Sequence, residues 1–310
     1  MALLWGIDLG GTKIEGAVIE DRKSRKVLRR MRMPTGADKG YVHIVRQVYQ
    51  LVETLVAETG VRPGRIGIGT PGTLDPATQK LKNSNTTCLN GKPLQSDLEN
   101  LLGIPVTLAN DANCFALAET RLGVVPEKAP NAETVWGIIM GTGVGSGIVV
   151  NGRVLNGRHG IAGEWGHNFL DESGGPCYCG KTGCTETILS GPALCHYYNH
   201  LTGTDTDLPQ IIERFYDGMD SRAEETVGRL IHFFGMAAAT VINIIDPDVV
   251  VIGGGLGNID LLYTDGVAAV RRHVFNDKLD TLFLKPKLGD SAGVFGAALL
   301  TANQPPTARD

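Results

Sequence analysis

The sequence predicts an α/β fold, because short apolar segments of strand length alternate along the chain with amphipathic helical patterns. Glycine-rich turns follow several of the apolar segments, and 310 residues are enough for two lobes with separate apolar cores. Two lobes imply a ligand cleft between them. We expect a small lobe made of residues 1–112 and about 290–310, and a large lobe made of about 113–289.

The amino-terminal elements alternate in the expected way. The segments LLWGIDL, KIEGAVIE and VLRRMRMP predict three strands, and a helical pattern follows from about residue 41 to 58. After these come the strand RIGIG, the helix PLQSDLENLLG, the strand VTLAN and the helix DANCFALAET. The tight polar junction between the last two places Asn110 and Asp111 where a strand meets a helix.

The second half of the chain repeats the opening pattern. VWGIIMGTGVGSGIVVNGRVL again predicts strand, glycine turn, strand, turn and strand, which indicates an internal duplication. Helices are predicted near 187–200, 207–217 and 221–245. DVVVIGGGLGN then predicts a buried strand and a glycine turn into a further helix, and GVFGAALLTA predicts the final helix.

Composition argues against several classes of partner. The 29 basic and 33 acidic residues are spread without long runs of one sign, so nucleic acid and anionic membranes are not expected as partners. A signal peptide is not predicted, because the first residues lack a basic segment and include Asp8. A membrane span is not predicted, because the longest apolar stretch is broken by glycines. Six cysteines without an export signal favour reduced thiols and a cytoplasmic protein.

Three glycine turns follow apolar strands and suit phosphate binding, because glycine lets backbone N–H groups approach an anion closely. They are DLGGTK, GTGVGSG and GGGLG. Any one alone could be a simple hairpin turn. None fits the P-loop or the dinucleotide fingerprint, since Thr12 precedes Lys13 and Ser146 and Asn258 stand where a third glycine is required. Asp8 is either a magnesium-associated carboxylate or a turn cap.

Asn110 and Asp111 end an apolar strand, at the edge of an α/β sheet where ligands usually bind. As a general base, Asp111 could accept the proton of a sugar hydroxyl while that oxygen attacks a γ-phosphate. Asp111 could equally be the N-cap of the following helix, a position that favours Asn and Asp. The local sequence leaves both possibilities open.

A cysteine cluster indicates a metal site. Cys177, Cys179 and Cys184, with His167 upstream, make the closed set of four ligands found in structural zinc sites. A redox pair or coincidentally buried cysteines are the alternatives. Zinc would hold both ends of the loop that carries Glu164 and Glu186, whose carboxylates could accept hydrogen bonds from a polyol rather than face solvent.

Motifs spread over nearly the whole chain carry a family resemblance: DLGGTK, GTPG, LANDAN, GTGVGSG, GEWGH, CYCGKTGCTE and DPDVVVIGGGL. Together they resemble the ROK family of sugar kinases, repressors and open reading frames. The resemblance implies an actin-like, hexokinase-type (RNase H-like) fold of two lobes with ATP and sugar in the cleft. It also implies magnesium-dependent transfer of the γ-phosphoryl group of ATP to a sugar hydroxyl, and a homodimer.

The resemblance assigns roles residue by residue. Asp111 would be the catalytic base. The sugar contacts would be Asn85, Asn110, Asp111, Glu164, His167 and Glu186. Structural zinc would be held by His167, Cys177, Cys179 and Cys184. The nucleotide would be lined by Asp8, Gly10, Gly11, Thr12, Lys13, Gly141, Thr142, Gly143, Gly254 and Gly255.

Within the family, KNSNTTCLNGKPL and NIIDPDVVVIGGGLGN are most similar to the bacterial fructokinase (manno-fructokinase) branch, which implies phosphorylation of fructose to fructose 6-phosphate. An N-acetylglucosamine kinase or a glucokinase with the same machinery is the first alternative. A sugar-sensing regulator without kinase activity is the second, but Asp8 lies so near the start that we expect no DNA-reading domain before it. A purely structural zinc protein would leave the glycine turns and Asp111 unexplained.

Overall fold

The structure, a computed structural model, describes residues 3–21 and 25–302. Its strands are β1 (Leu4–Leu9), β2 (Lys13–Ile19), β3 (Val27–Pro34), β4 (Ile66–Thr70), β5 (Thr73–Leu74), β6 (Leu81–Lys82), β7 (Val106–Asn110), β8 (Thr134–Met140), β9 (Val144–Val150), β10 (Arg153–Val154), β11 (Val249–Gly253) and β12 (Leu282–Leu284). The α-helices are α1 (Tyr41–Thr59), α2 (Leu94–Leu102), α3 (Asp111–Arg121), α4 (Val125–Lys128), α5 (Glu186–Leu189), α6 (Gly191–Thr202), α7 (Leu208–Asp217), α8 (Ser221–Ile245), α9 (Asp265–Arg271) and α10 (Ala292–Leu299).

Two five-stranded sheets share one strand order. The first runs β3-β2-β1-β4-β7 and the second β10-β9-β8-β11-β12. In the first sheet β1 pairs antiparallel with β2 and parallel with β4, and in the second β11 pairs parallel with both β8 and β12. The repeated order confirms the internal duplication predicted from the sequence.

The chain divides into two compact units. Unit 1 comprises 1–131, 147–162 and 287–310, and unit 2 comprises 132–146 and 163–286. The units differ from the predicted lobes, because 113–131 and 147–162, which were predicted in the large lobe, belong to unit 1. The division into a small and a large lobe stays a prediction. The end of the predicted small lobe, 303–310, lies outside the described residues.

The core of unit 1 follows from the apolar strands and from amphipathic helices. Trp5, Ile7 and Leu9 of β1 are buried in the same apolar cluster as Ile44 and Leu51 of α1. α10 packs on β1, β4 and α3. Because successive side chains of a strand point to opposite faces, β1 contributes to both of these layers. The layers fix the carboxyl ends of β1, β4 and β7, where the predicted site residues of unit 1 lie.

Helix α8 is the longest helix of the described part and packs against α6, α7 and α9 in unit 2. By length and composition alone it could cross a membrane, but half of its most apolar window is buried inside the protein. Burial of Phe234, Ala238 and Ile242 is what a core helix requires. Its hydrophobicity is therefore explained by packing.

Two predicted elements need correction, and one strand was absent from the prediction. The helix expected near 187–200 is two helices, α5 and α6, because Ser190 caps the second and accepts a hydrogen bond from the Ala193 N–H at 3.2 Å. The turn after β11 leads into two short 3₁₀ helices, Gly255–Asn258 and Asp260–Tyr263, before α9 begins. The edge strand β12 was not predicted.

Candidate active site and metal centre

Asp8 lies near the end of β1, opposite Glu15 of β2 and Gly69 of β4. Burial, and after it the carboxylates of Asp111 and Glu15, raise the pKa of Asp8 to about 6, while Lys13 and Arg32 act in the opposite direction. In the described part of the chain no backbone N–H of the turn 10–13 donates to this carboxylate. The turn-cap alternative for Asp8 is therefore not supported.

The turn that follows β1 is held by its own backbone and by Thr35. Gly10 N–H donates to the Lys13 carbonyl at 2.9 Å, and the Thr35 hydroxyl donates to the Gly10 carbonyl at 2.7 Å. Gly11 approaches the loop that carries the exposed residue Asn85, since a Cβ at Gly11 would lie 3.3 Å from the Thr86 hydroxyl. Unit 1 thus brings a predicted nucleotide turn beside a predicted sugar-contact loop.

Asn110, not Asp111, is the N-cap of α3. The Ala112 N–H donates to Asn110 Oδ1 at 2.9 Å and also to Asp111 Oδ1 at 2.8 Å. Asp111 is the first helical residue, and solvent reaches its side chain. Protein atoms nevertheless crowd around the carboxyl, and this burial raises the pKa of Asp111 while the Ala112 hydrogen bond lowers it. A solvent-reachable carboxylate with a raised pKa suits a general base.

Asp8 and Asp111 are close enough for the Asp111 carboxylate to raise the pKa of Asp8. The strand order explains this proximity, since β4 alone separates β1 from β7 and all three run parallel. Gly293 at the start of α10 leaves room for the Asp8 carboxylate, because an ideal Cβ at this position would lie only 2.7 Å from Asp8 Oδ2. Two carboxylates near a phosphate-type turn are the ligands that Mg²⁺ prefers when it also binds phosphate oxygens.

The two predicted nucleotide turns of unit 2 lie side by side. β8 and β11 pair parallel up to Ile139 and Gly253, so the turns at Gly141 and Gly254 begin at the same edge of the sheet. Gly254 has a φ of 79°, and any side chain there would overlap the Met140 carbonyl. The close approach of these backbones therefore requires glycine.

His167, Cys177, Cys179 and Cys184 converge, as the sequence predicted. Their ligand atoms all lie within 4.8 Å of one another. Cys177 Sγ lies 3.6 Å from His167 Nδ1, and the same distance separates the sulfurs of Cys179 and Cys184. A tetrahedron with zinc–sulfur bonds of about 2.3 Å has sulfurs roughly 3.8 Å apart. The four residues therefore fit a zinc ion.

The loop that carries these ligands also positions two carboxylates. Glu164 stands at the N-cap of a short 3₁₀ helix, Trp165–His167, and Glu186 is the first residue of α5. Glu186 Oε2 accepts a hydrogen bond from the Val144 N–H at 2.8 Å, just past the turn that contains Gly143. Within unit 2, therefore, one predicted sugar contact is tied directly to a predicted nucleotide turn.

Tyr178 lies beside the metal ligands and was not predicted as a site residue. Its hydroxyl lies 3.0 Å from His167 Nε2, and its ring packs edge-on against the imidazole. Burial raises the pKa of Tyr178 to about 12, and the nearby carboxylates of Glu186 and Glu164 contribute to the rise. The available signal was its place between Cys177 and Cys179, which fixes its backbone beside the metal ligands.

Comparison with known proteins identifies the family. A family model described as the ROK family matches residues 4–304. The chain belongs to the ROK family. This ROK protein is 36% identical over 308 residues to the N-acetyl-D-glucosamine kinase of Vibrio cholerae, an alignment that covers 96% of this chain and 99% of the relative.

Two solved structures resemble the ROK protein over almost its full length. The ROK hexokinase from Thermus thermophilus has a TM-score of 0.84 and 33% identity, and covers 96% of this chain and 97% of its own. A ROK family glucokinase from Streptomyces griseus, solved with glucose and AMPPNP, has a TM-score of 0.75 and 27% identity, with coverage of 96% and 99%. The predicted hexokinase-type fold is confirmed, and the protein is an ATP-dependent sugar kinase with Mg-ATP as its cosubstrate.

Proposed function

We propose that this ROK protein phosphorylates N-acetyl-D-glucosamine. The observation that carries the proposal is the near full-length similarity to a relative named for that sugar. The comparisons do not support the fructokinase branch expected from the sequence. That expectation depended on short segments such as residues 82–94, a loop in which Ser84 and Asn90 are joined by two hydrogen bonds.

Asp111 is the proposed general base. Its carboxylate accepts the proton of the sugar hydroxyl as that oxygen forms a bond to the γ-phosphorus of ATP. The bond between the γ-phosphorus and the β–γ bridging oxygen breaks, and ADP leaves with the electron pair. The Ala112 N–H bonded to Asp111 Oδ1 holds the carboxyl in place, so that Oδ2 is the proposed proton acceptor.

The remaining contacts are proposed by unit. In unit 1, Asn85 and Asn110 bind sugar hydroxyls, while Asp8 and the turn Gly10, Gly11, Thr12 and Lys13 bind Mg-ATP. In unit 2, Glu164, His167 and Glu186 bind sugar hydroxyls, and Gly141, Thr142, Gly143, Gly254 and Gly255 bind the nucleotide. Carboxylates and a neutral imidazole suit this role because a sugar hydroxyl both donates and accepts hydrogen bonds.

Zinc is the proposed structural metal. His167, Cys177, Cys179 and Cys184 would hold it, and a bound ion would fix the loop from which Glu164 and Glu186 project. The four protein ligands would fill all four coordination positions of a tetrahedral zinc ion, so no position would remain for a catalytic water. We further propose a cytoplasmic homodimer. Nucleic-acid and membrane partners are not proposed, in keeping with the balanced charge of the chain.

A glucokinase is the second candidate, because the Streptomyces relative contains glucose and AMPPNP. A non-catalytic regulator is less well supported, since Asp111 has the placement and raised pKa of a base. A substrate panel separates these possibilities. ADP formation would be followed with Mg-ATP and N-acetylglucosamine, N-acetylmannosamine, glucose, mannose or fructose.

The highest kcat/KM is expected for N-acetylglucosamine. A higher kcat/KM for glucose or fructose would replace the proposed sugar and leave the kinase assignment intact. Calorimetric binding of a sugar without any ADP formation would favour the regulator. Asp111→Ala provides the background rate for ATP hydrolysis in the absence of the proposed base.

A further inference from the structure

Tyr178 occupies the ring nitrogen through which His167 would reach a sugar. Nδ1 faces Cys177 Sγ at 3.6 Å, on the side of the proposed metal, and Nε2 faces the Tyr178 hydroxyl at 3.0 Å. Both ring nitrogens are therefore engaged. A sugar hydroxyl can bind Nε2 only if the tyrosine hydroxyl leaves it.

The tyrosine hydroxyl has the hydrogen-bonding character of a sugar hydroxyl. When the lone pair of Nδ1 points to the metal side, Nε2 carries the ring hydrogen and donates it to the Tyr178 oxygen. The phenolic hydrogen is then available for an acceptor. The carboxylates of Glu186 and Glu164, both proposed sugar contacts, lie close enough to influence the phenol.

Little packing holds the side chain in this position. Tyr178 is 82% exposed, whereas Tyr198 in the same unit is fully buried and bonded to both Asp220 and Arg214. Rotation of Tyr178 away from His167 would break the hydrogen bond and the edge-on ring contact but would uncover little apolar surface. The exposed tyrosine is therefore displaceable, unlike a structural one.

We propose that the Tyr178 hydroxyl competes with a sugar hydroxyl for His167 Nε2, so that Tyr178 sets the affinity of the kinase for its sugar. The inference rests on the proposed role of His167 as a sugar contact. It adds to that role a competing group within the same chain, and it makes Tyr178 a residue that weakens binding of the substrate.

The test removes the hydroxyl and keeps the ring. Calorimetry of Tyr178→Phe with N-acetylglucosamine, and separately with glucose, should give a Kd about two- to tenfold lower than that of the wild type, the range expected when one ordinary hydrogen bond no longer has to be broken. Tyr178→Leu should tighten binding as well, because the competing group is the hydroxyl. Tyr216→Phe, an exposed tyrosine on α7, is the matched control and should leave the Kd unchanged.

Three results would overturn the proposal. An unchanged Kd in Tyr178→Phe would mean that the hydroxyl does not compete. A higher Kd in Tyr178→Phe would make the tyrosine hydroxyl a direct sugar contact. Loss of zinc from Tyr178→Phe, measured by mass spectrometry of the metal, would mean that the Tyr178 hydroxyl orients the His167 ring for metal binding. Because both sugars serve as probes, a wild type that binds glucose and not N-acetylglucosamine refutes the proposed substrate without affecting this test.

Discussion

Replacement of Asp8 by asparagine should stabilise the protein at neutral pH. A carboxyl whose pKa rises from 3.8 to about 6 is penalised on ionisation by about 3 kcal/mol, at 1.36 kcal/mol per tenfold change in acidity. Burial is the largest cause of the penalty, and Asp111 is the next. Asparagine has nearly the same shape and carries no charge, so Asp8→Asn avoids the penalty.

The sign of the effect depends on pH in a defined window. Below about pH 4 the Asp8 carboxyl is protonated in both the folded and the unfolded chain, so the penalty is absent. Between about pH 4 and pH 6 the folded protein binds more protons than the unfolded chain, and the stability of the wild type falls as the pH rises. Above about pH 6 the penalty is complete and constant.

The assay is urea unfolding of wild type and Asp8→Asn from pH 4 to pH 8. The free energy of unfolding of Asp8→Asn should exceed that of the wild type by up to about 3 kcal/mol at pH 7.5, and the gap should close near pH 4. A gap that does not vary with pH, or a less stable variant at pH 7.5, would show that ionised Asp8 does not destabilise the folded protein. Asp75→Asn is a control of opposite sign, since the Lys82 ammonium holds the pKa of Asp75 well below its usual range and its stabilisation is lost only under strongly acid conditions.

Two further predictions concern the proposed base and the metal. Asp111→Asn can keep the hydrogen bond from Ala112, so sugar affinity should stay near that of the wild type while kcat falls roughly 10²- to 10⁴-fold; undiminished turnover in steady-state kinetics would remove Asp111 from its role. Cys179→Ser should lose zinc and weaken sugar binding indirectly by loosening Glu164 and Glu186. Retention of one zinc per chain, measured on the purified variant, would contradict the ligand set.

The local signals in the sequence predicted most strands and their turns. VVVIG of β11 is wholly buried, and such a continuous apolar run is what a strand covered on both faces requires. LFL of β12 is partly exposed, so neither alternation nor a long apolar run marked it. Ser190, Gly191 and a following proline did signal a helix start, and their neglect produced the single helix predicted near 187–200.

The candidate site was predictable where its residues are close in sequence. Four metal ligands within eighteen positions could be grouped by residue type alone. The proximity of Asp8 and Asp111 depends instead on strand order, which no local pattern encodes. The burial of Glu119, which has no assigned part in the site, could not be predicted for the same reason. It is fully buried and accepts hydrogen bonds from the backbone N–H groups of Val124, Lys287 and Leu288, two of which are remote in sequence.

The hydrogen bond from the Val144 N–H to Glu186 couples the proposed sugar site to the proposed nucleotide site through one carboxylate. If the proposed roles hold, a sugar hydroxyl that binds the Glu186 carboxylate changes the strength of its hydrogen bond to the Val144 N–H. That hydrogen bond holds the backbone beside the Gly143 turn, the proposed nucleotide site. Thermodynamic linkage then demands reciprocity: whatever factor the sugar applies to nucleotide affinity, the nucleotide must apply to sugar affinity. Cooperative binding of the two substrates would thus be a property of a single side chain and its backbone partner.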